Sequence, residues 1–176
     1  MLPMRLTLLL CLCYLLSSCG SDPSPALVET ETPPAEKELA PPPPPCVYLT
    51  EATVLAYFTA AVKLPMPGHR SAATFSSCQY DLEAAGWSAA LVLEMPEPGK
   101  QQTIIDEVAG AKGDNLVAFT GGNGKFTNEG RVLTVSGNKH FRLKFSALPK
   151  PGTEAPFDEA ARRTMLTSMA GGILAM

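Results

Sequence analysis

The sequence contains few of the residues that metal sites and hydrolases require. Its 176 residues include two histidines, His69 in a predicted proline- and glycine-rich loop and His140 on a predicted strand. Neither histidine lies in a catalytic signature, and the sequence has no HExxH helix, calcium-binding loop or CxxC pair. Since a hydrolase needs a nucleophile with a base within reach, the sequence predicts no catalytic residue, metal ligand or cofactor.

Nucleotide and nucleic-acid binding also lack a supporting pattern. The segment 120–125 contains glycines and Lys125, but a P-loop requires serine or threonine after the lysine, where this chain has Phe126. The chain carries 14 cations and 17 acids; residues 1–45 hold two of the cations and five of the acids, which leaves 12 of each in 46–176. A neutral domain without a binding motif does not predict a nucleic-acid partner.

The apolar run near the N-terminus is too short to span a bilayer. Leu6–Leu16 has 11 residues, whereas a transmembrane helix needs about 20. The run follows Arg5 and is followed by two serines and Cys19. This arrangement predicts an export signal over residues 1–18 that is removed from the mature protein.

Residues 1–19 resemble a bacterial lipoprotein signal, with a leucine three positions before Cys19 and two small residues between them. The resemblance implies cleavage before Cys19, a diacylglyceryl thioether on its sulfur and usually an acylated amino group. An ordinary signal with a cysteine nearby by chance is the alternative. Two or more acyl chains hold a protein stably on a membrane, at about 0.8 kcal/mol per buried methylene. Because Gly20 and Ser21 follow Cys19 rather than aspartate, the resemblance favours the outer membrane, with the outer face of the inner membrane as the alternative.

The segment after Cys19 has the composition of a tether. Nine of the 26 residues in 20–45 are proline, and the segment carries five acids and one cation. It has too few apolar residues to form a core. Proline-rich chains favour polyproline II at about 3.1 Å per residue, so the tether could extend on the order of 80 Å. A proline-rich ligand for a partner is the alternative interpretation.

Residues 46–176 have the size of one domain, and two cysteines remain in it. If the signal is removed and Cys19 is lipidated, Cys46 and Cys78 are the cysteines left over. Exported proteins are exposed to oxidation, which predicts a disulfide between these two residues. A free reactive thiol or a metal site is the alternative.

Hydrophobic periodicity predicts an α+β domain. Alternating strands that are joined by short turns favour antiparallel pairing, and the helical segments repeat apolar residues every three or four positions. The prediction is a five-stranded antiparallel sheet with three helices, in the order α-β-β-α-β-β-β-α. The helices are expected at 51–62, 98–110 and 157–174, and the strands at 75–83, 87–95, 115–120, 131–136 and 139–147. Residues 121–124 are expected to form a flexible loop.

Residues 46–174 resemble groups of small, uncharacterised bacterial envelope lipoproteins. The resemblance rests on a cysteine before a short helix, on Cys78-Gln79-Tyr80 in the first strand, on the glycine-containing turn at 108–114 and on the order of the elements. It supports the fold and implies no activity.

Charge placement gives the one candidate for a binding surface. On the last predicted strand, cationic residues alternate with Phe141, Leu143 and Phe145, so the cations share one face. A solvated face of an antiparallel sheet is one interpretation; a patch for an anionic partner, such as a lipid head group, an envelope glycan or another envelope protein, is the other. The candidate patch comprises Lys125, Arg131, Lys139, His140, Arg142 and Lys144.

These features predict a membrane-anchored envelope lipoprotein whose domain is a non-catalytic binding module. An enzyme that acts on an envelope polymer, through a site not visible in the sequence, is the alternative. A purely structural role is the third interpretation.

Overall fold

A computed structural model describes residues 44–58, 68–72, 74–154 and 156–176 of the chain; for 68–72 it describes the backbone. The predicted signal, Cys19 and the tether up to residue 43 lie outside these residues. Within the described part, no helix has both the length and the apolar character needed to cross a bilayer.

Three α-helices are present in the described residues, as predicted, and two of them begin at a capping side chain. Helix α1 is Glu51–Tyr57, α2 is Gln102–Ala109 and α3 is Glu159–Ala175. Thr50 Oγ1 accepts the backbone N–H of Thr53 before α1, and Asp158 accepts that of Ala161 before α3. The predicted continuation of α1 over 59–62 lies outside the described residues.

Helix α2 begins four residues later than the sequence pattern predicted. Pro98 was expected to open the helix, but it lies in a turn in which the N–H of Lys100 donates to the carbonyl of Glu97, at 2.9 Å. Gly99 has φ +78°, which suits the third position of a type II turn with proline at the second. The Pro-Gly pair therefore forms a turn, and the helix starts after it.

The described strands form one antiparallel sheet of seven strands, so the prediction of five was wrong. The sheet order is β1-β2-β3-β7-β6-β5-β4, with β3 and β7 joining two meanders. The bounds are β1 Gly68–Ala72, β2 Phe75–Glu83, β3 Trp87–Pro96, β4 Leu116–Phe119, β5 Gly122–Thr127, β6 Val132–Gly137 and β7 His140–Pro149.

The two strands missed by the sequence pattern are β1 and β5. His69 was expected in a loop, but it lies in β1, where its backbone pairs with that of Cys78 in β2. The expected loop at 121–124 largely belongs to β5, in which the glycines make room for neighbours. A Cβ on Gly124 would lie 2.9 Å from Phe119 Cε2 and 3.0 Å from Leu133 Cδ1. Glycine here permits close packing rather than a flexible loop.

The two faces of the sheet are covered differently. The first face carries the main apolar core, which also contains residues of α1 and α3, among them Val54 and Leu166. The second face carries the alternate residues of each strand, and α2 packs on part of it, burying Ile104 and Val108. Helices therefore pack on both faces of the sheet, and α2 leaves part of the second face open.

The predicted disulfide between Cys46 and Cys78 is confirmed. It joins the start of the domain to β2, on the first face of the sheet. Beside it, the Tyr80 hydroxyl donates to the carbonyl oxygen of Leu49 at 3.0 Å. Burial, together with the charge of Glu51, raises the pKa of Tyr80. The bond closes a loop of 32 residues in sequence separation, which contributes about 3.5–4 kcal/mol in the chain-entropy description.

Candidate functional site

The six residues of the predicted patch lie partly on strands and partly in turns. Arg142 and Lys144 lie on the second face of β7, and Lys125 lies on the second face of β5, opposite Thr134 in the register. Arg131 lies in the turn before β6, and Lys139 lies in the turn before β7. His140 begins β7 on the second face and is half-buried. The six residues therefore do not form one continuous patch.

Arg142 is held in a partly buried network that docks α2. Its guanidinium donates to Glu107 Oε2 at 2.7 Å, and the buried Thr134 hydroxyl donates to Glu107 Oε1 at 2.9 Å. The guanidinium carbon also lies 5.1 Å from the centre of the Phe75 ring. Burial alone would raise the pKa of Glu107, but the hydrogen bonds from Arg142 and Thr134 and the charges of Arg142 and Lys125 lower it. Arg142 therefore has a carboxylate partner, and the charge of Lys125 acts on the same carboxylate.

Two further cations of the predicted patch also have carboxylate partners. Lys144 Nζ lies 2.5 Å from Glu94 Oε1 on the neighbouring strand. Arg131 lies 3.8 Å from Glu129, and both side chains are largely exposed. Pairing of this kind cancels most of the positive potential that a row of cations would project.

The remaining two residues of the predicted patch, Lys139 and His140, line one small cavity. The cavity has a volume of about 220 Å³. Among the described side chains, no carboxylate lies within 4.0 Å of either residue. His140 Nδ1 lies 3.3 Å from Ser136 Oγ, and Lys139 Nζ lies 5.7 Å from the centre of the Tyr48 ring. We call this the cationic cavity, and it is lined by Met95, Pro96, Pro98, Gln101, Asn138, Lys139 and His140.

A larger groove lies at the other end of the same strands. It has a volume of about 550 Å³ and occupies the second face of β2, β3 and β7. This groove was not predicted from the sequence. We call it the acidic groove, and the residues that define it are Asp81, Glu83, Ser88, Ala90, Ser146 and Leu148.

Small side chains in register make the floor of the acidic groove. Asp81 pairs with Ala90, and Ala90 pairs with Ser146 on β7. In the next row, Ser88 lies between Glu83 and Leu148. Because side chains in one row of a sheet are about 5 Å apart, small residues in the middle leave a depression between the acids and the leucine.

The groove combines two carboxylates with an exposed apolar side chain. Gln79 Nε2 donates to Asp81 Oδ1 at 2.6 Å, and Lys150 Nζ lies 3.1 Å from Glu83 Oε1. Leu148 is 65% exposed, the largest exposed fraction among the large apolar side chains of the described residues. A surface that is acidic along one margin and apolar along the other suits a ligand with an alkyl stem and a positive charge.

No family model, curated protein or solved structure matches the chain. In the part of the chain that the structure describes, no three His, Cys, Asp or Glu side chains come together as metal ligands.

Proposed function

We propose that the protein is a lipid-anchored envelope lipoprotein and that its domain is a non-catalytic binding module. The proposal of an anchor rests on the apolar run before Cys19 and on the small residues that separate them. The acidic tether then holds the domain away from anionic head groups by repulsion. The outer membrane is the favoured location, because Gly20 and Ser21 follow the cysteine.

The cationic cavity is the contact that we assign to an anionic partner. One observation carries this assignment: Lys139 and His140 line the same cavity without a carboxylate within 4.0 Å among the described side chains. By contrast, Arg131, Arg142 and Lys144 each have one, and the charge of Lys125 acts on Glu107. Gln101 adds an amide that can donate a hydrogen bond, and Met95 provides an apolar wall. The arrangement suits a single phosphate or carboxylate group that projects from a larger partner.

The affinity of such a contact is low when it acts alone. Exposed ion pairs contribute about 0.2–1 kcal/mol each. A lipid anchor raises the effective concentration of the module near any partner in the same membrane. The proposed anchor and the proposed cavity therefore support each other, since weak recognition is sufficient for a protein that is already held at the surface.

The anchor is tested by labelling cells with palmitate and replacing Cys19 by serine. We expect the native chain to incorporate the label and to fractionate with membranes, and Cys19→Ser to lose both properties. Cys13→Ser, within the predicted signal, is the matched control and should keep both. An unlabelled native chain in the medium would contradict the proposal.

The cavity is tested by NMR titration of the full chain in detergent with glycerol phosphate. We expect the amides of 138–140 to shift, and Lys139→Gln to weaken binding about two- to fivefold, the size of one surface ion pair. Lys112→Gln removes an exposed cation elsewhere and should leave binding unchanged. Equal weakening by both variants would indicate general charge attraction and would contradict a specific cavity.

An enzyme acting on an envelope polymer is the second candidate, and one observation favours it. Ser136 Oγ and His140 Nδ1 lie 3.3 Å apart across the strand pair. A serine nucleophile also needs a group that orients the imidazole, and the described lining of the adjacent cavity contains no carboxylate. Cleavage of an envelope glycan by the native chain that is lost in Ser136→Ala would reverse the ranking.

A further inference from the structure

We propose that the acidic groove is a second binding site, which takes an extended peptide segment carrying a lysine or arginine side chain. The site lies outside the predicted patch and does not depend on the cationic cavity. Along β3, the groove residue Ala90 and the cavity residue Pro96 are six positions apart, which is about 20 Å in a strand. The two sites therefore face different ends of the domain.

The shape of the groove suits an extended chain. From Asp81 across Ala90 to Ser146 the floor spans two strand spacings, about 10 Å, which is wide enough for one extended chain to lie on it. The volume of about 550 Å³ lies within the range of ligand-binding pockets. Ser88 and Ser146 place hydroxyl groups on the floor, and each can donate to or accept from a peptide backbone.

Charge complementarity selects a cationic occupant. Asp81 is exposed, and none of the described cations lies within 4.0 Å of its carboxylate. Glu83 adds a second carboxylate that is paired with Lys150 and keeps 67% of its side chain exposed. The alkyl stem of a lysine can lie over Ala90 and Leu148 while its ammonium group reaches Asp81, which is how long cationic side chains cover apolar surface.

Two occupants from this protein itself fit the groove less well. The tether carries five acids and one cation, so its net negative charge is repelled by the carboxylates at the groove margin. A second copy could bring Lys139 to the groove either reciprocally across a two-fold axis or by a head-to-tail contact. Because residues 46–176 carry 12 charges of each sign, no net attraction between copies favours either contact.

The proposal is tested with pentalysine as the probe and the full chain in detergent. NMR titration should shift the amides of 81–90 and 146–148 and leave those of 138–140 unmoved. Pentaglutamate is the matched probe and should shift neither the amides of 81–90 nor those of 146–148. Asp81→Asn should weaken pentalysine binding about fivefold, the upper size of one surface ion pair. Ala90→Leu should weaken it at least as much, because the larger side chain fills the floor without changing charge.

Asp106→Asn is the matched control variant. Asp106 is exposed on α2 and accepts a hydrogen bond from Gln102 Nε2 at 2.7 Å, as Asp81 does from Gln79. The control should bind pentalysine as the native chain does. Equal weakening by Asp106→Asn and Asp81→Asn would overturn the proposal, because it would show general charge attraction. Shifts at 81–90 that appear on raising the protein concentration alone would also overturn it, because they would identify a second copy as the occupant.

Discussion

The two faces of the sheet consist of the same strands but are stabilised by different interactions. On the first face of β7, Phe141, Leu143 and Phe145 are almost fully buried. On the second face of the same strand, Arg142 bonds to a glutamate 35 residues away and Lys144 to one 50 residues away. Burial of the first face follows from the alternation of one strand, whereas the second face depends on partners that are distant in sequence. Three variants test this difference.

The largest effect is expected on the first face, from Phe145→Ala. The Phe145 ring lies 5.1 Å from Phe157 and 5.7 Å from Phe58, measured between ring centres. Loss of a buried phenylalanine lowers the free energy of unfolding by about 3–5 kcal/mol. Val92→Ala, on the half-buried second face of the neighbouring strand β3, should lower it by about 1 kcal/mol or less. Urea unfolding under oxidising conditions measures both, and equal losses would contradict the comparison.

An intermediate effect is expected from Glu107→Gln, which weakens the network that docks α2. We expect a loss of about 1–2 kcal/mol at neutral pH, because Arg142 loses its charged partner while its side chain stays partly exposed to water. The adjacent variant Asp106→Asn is the control and should change the free energy of unfolding little. If the free energy of unfolding falls by the same amount in both variants, the carboxylate of Glu107 has no special role in docking α2.

The loss in Glu107→Gln should also depend on pH. The pKa of Glu107 is lowered in the folded state from its ordinary value of 4.5, so its contribution is present above that pH and is lost as the pH falls below it. The difference between the native chain and the variant should therefore shrink from about pH 4.5 downwards. A difference that stays constant into the acid range would contradict the assigned cause.

The smallest effect is expected from Lys144→Gln, which removes the pair with Glu94. The two side chains are 40% and 20% exposed, so the pair should contribute about 0.2–1 kcal/mol. Because salt screens exposed charges, the difference from the native chain should disappear near about 1 M salt. Arg131→Gln is the comparison: its pair is longer and more exposed and should contribute less still. A larger loss in Arg131→Gln would contradict this order.

Sequence patterns predicted those elements whose periodicity is local. The alternation in β2, β3 and β7 gave nearly the observed strands, and the apolar spacing in α3 placed that helix within two residues at its start and one at its end. These patterns are strong because one face of each element is buried in the core. The disulfide followed from the prediction of export, under which the two cysteines of 46–176 allow one pairing.

The strand β5 was missed because glycine has two different uses. Residues 121–124 contain three glycines, which usually indicate a loop. Gly121, with φ +94°, does form a turn, but Gly122 and Gly124 are strand residues whose missing side chains allow neighbours to approach. A single sequence does not distinguish these uses, because the second depends on residues from other strands such as Leu133.

The charge pairs and the acidic groove could not be predicted for a related reason. The alternation on β7 placed Arg142 and Lys144 on one face, but the glutamates that face them come from α2 and β3. The groove requires Asp81, Ala90 and Ser146 to share one row across three strands. The one local signal for it was the pair of acids on alternate positions of β2, which marks an open face at the end of that strand.

Under the proposed tether, the covalent link between Cys46 and Cys78 would have a mechanical consequence. Tension that reaches Cys46 along the preceding chain passes through the sulfur atoms directly into β2, which is flanked by a strand on each side. The intervening segment 47–77 lies outside that path, so a pull strong enough to peel a short helix from a surface does not act on α1. Load on the proposed tether would therefore reach the sheet at β2 before it reached α1.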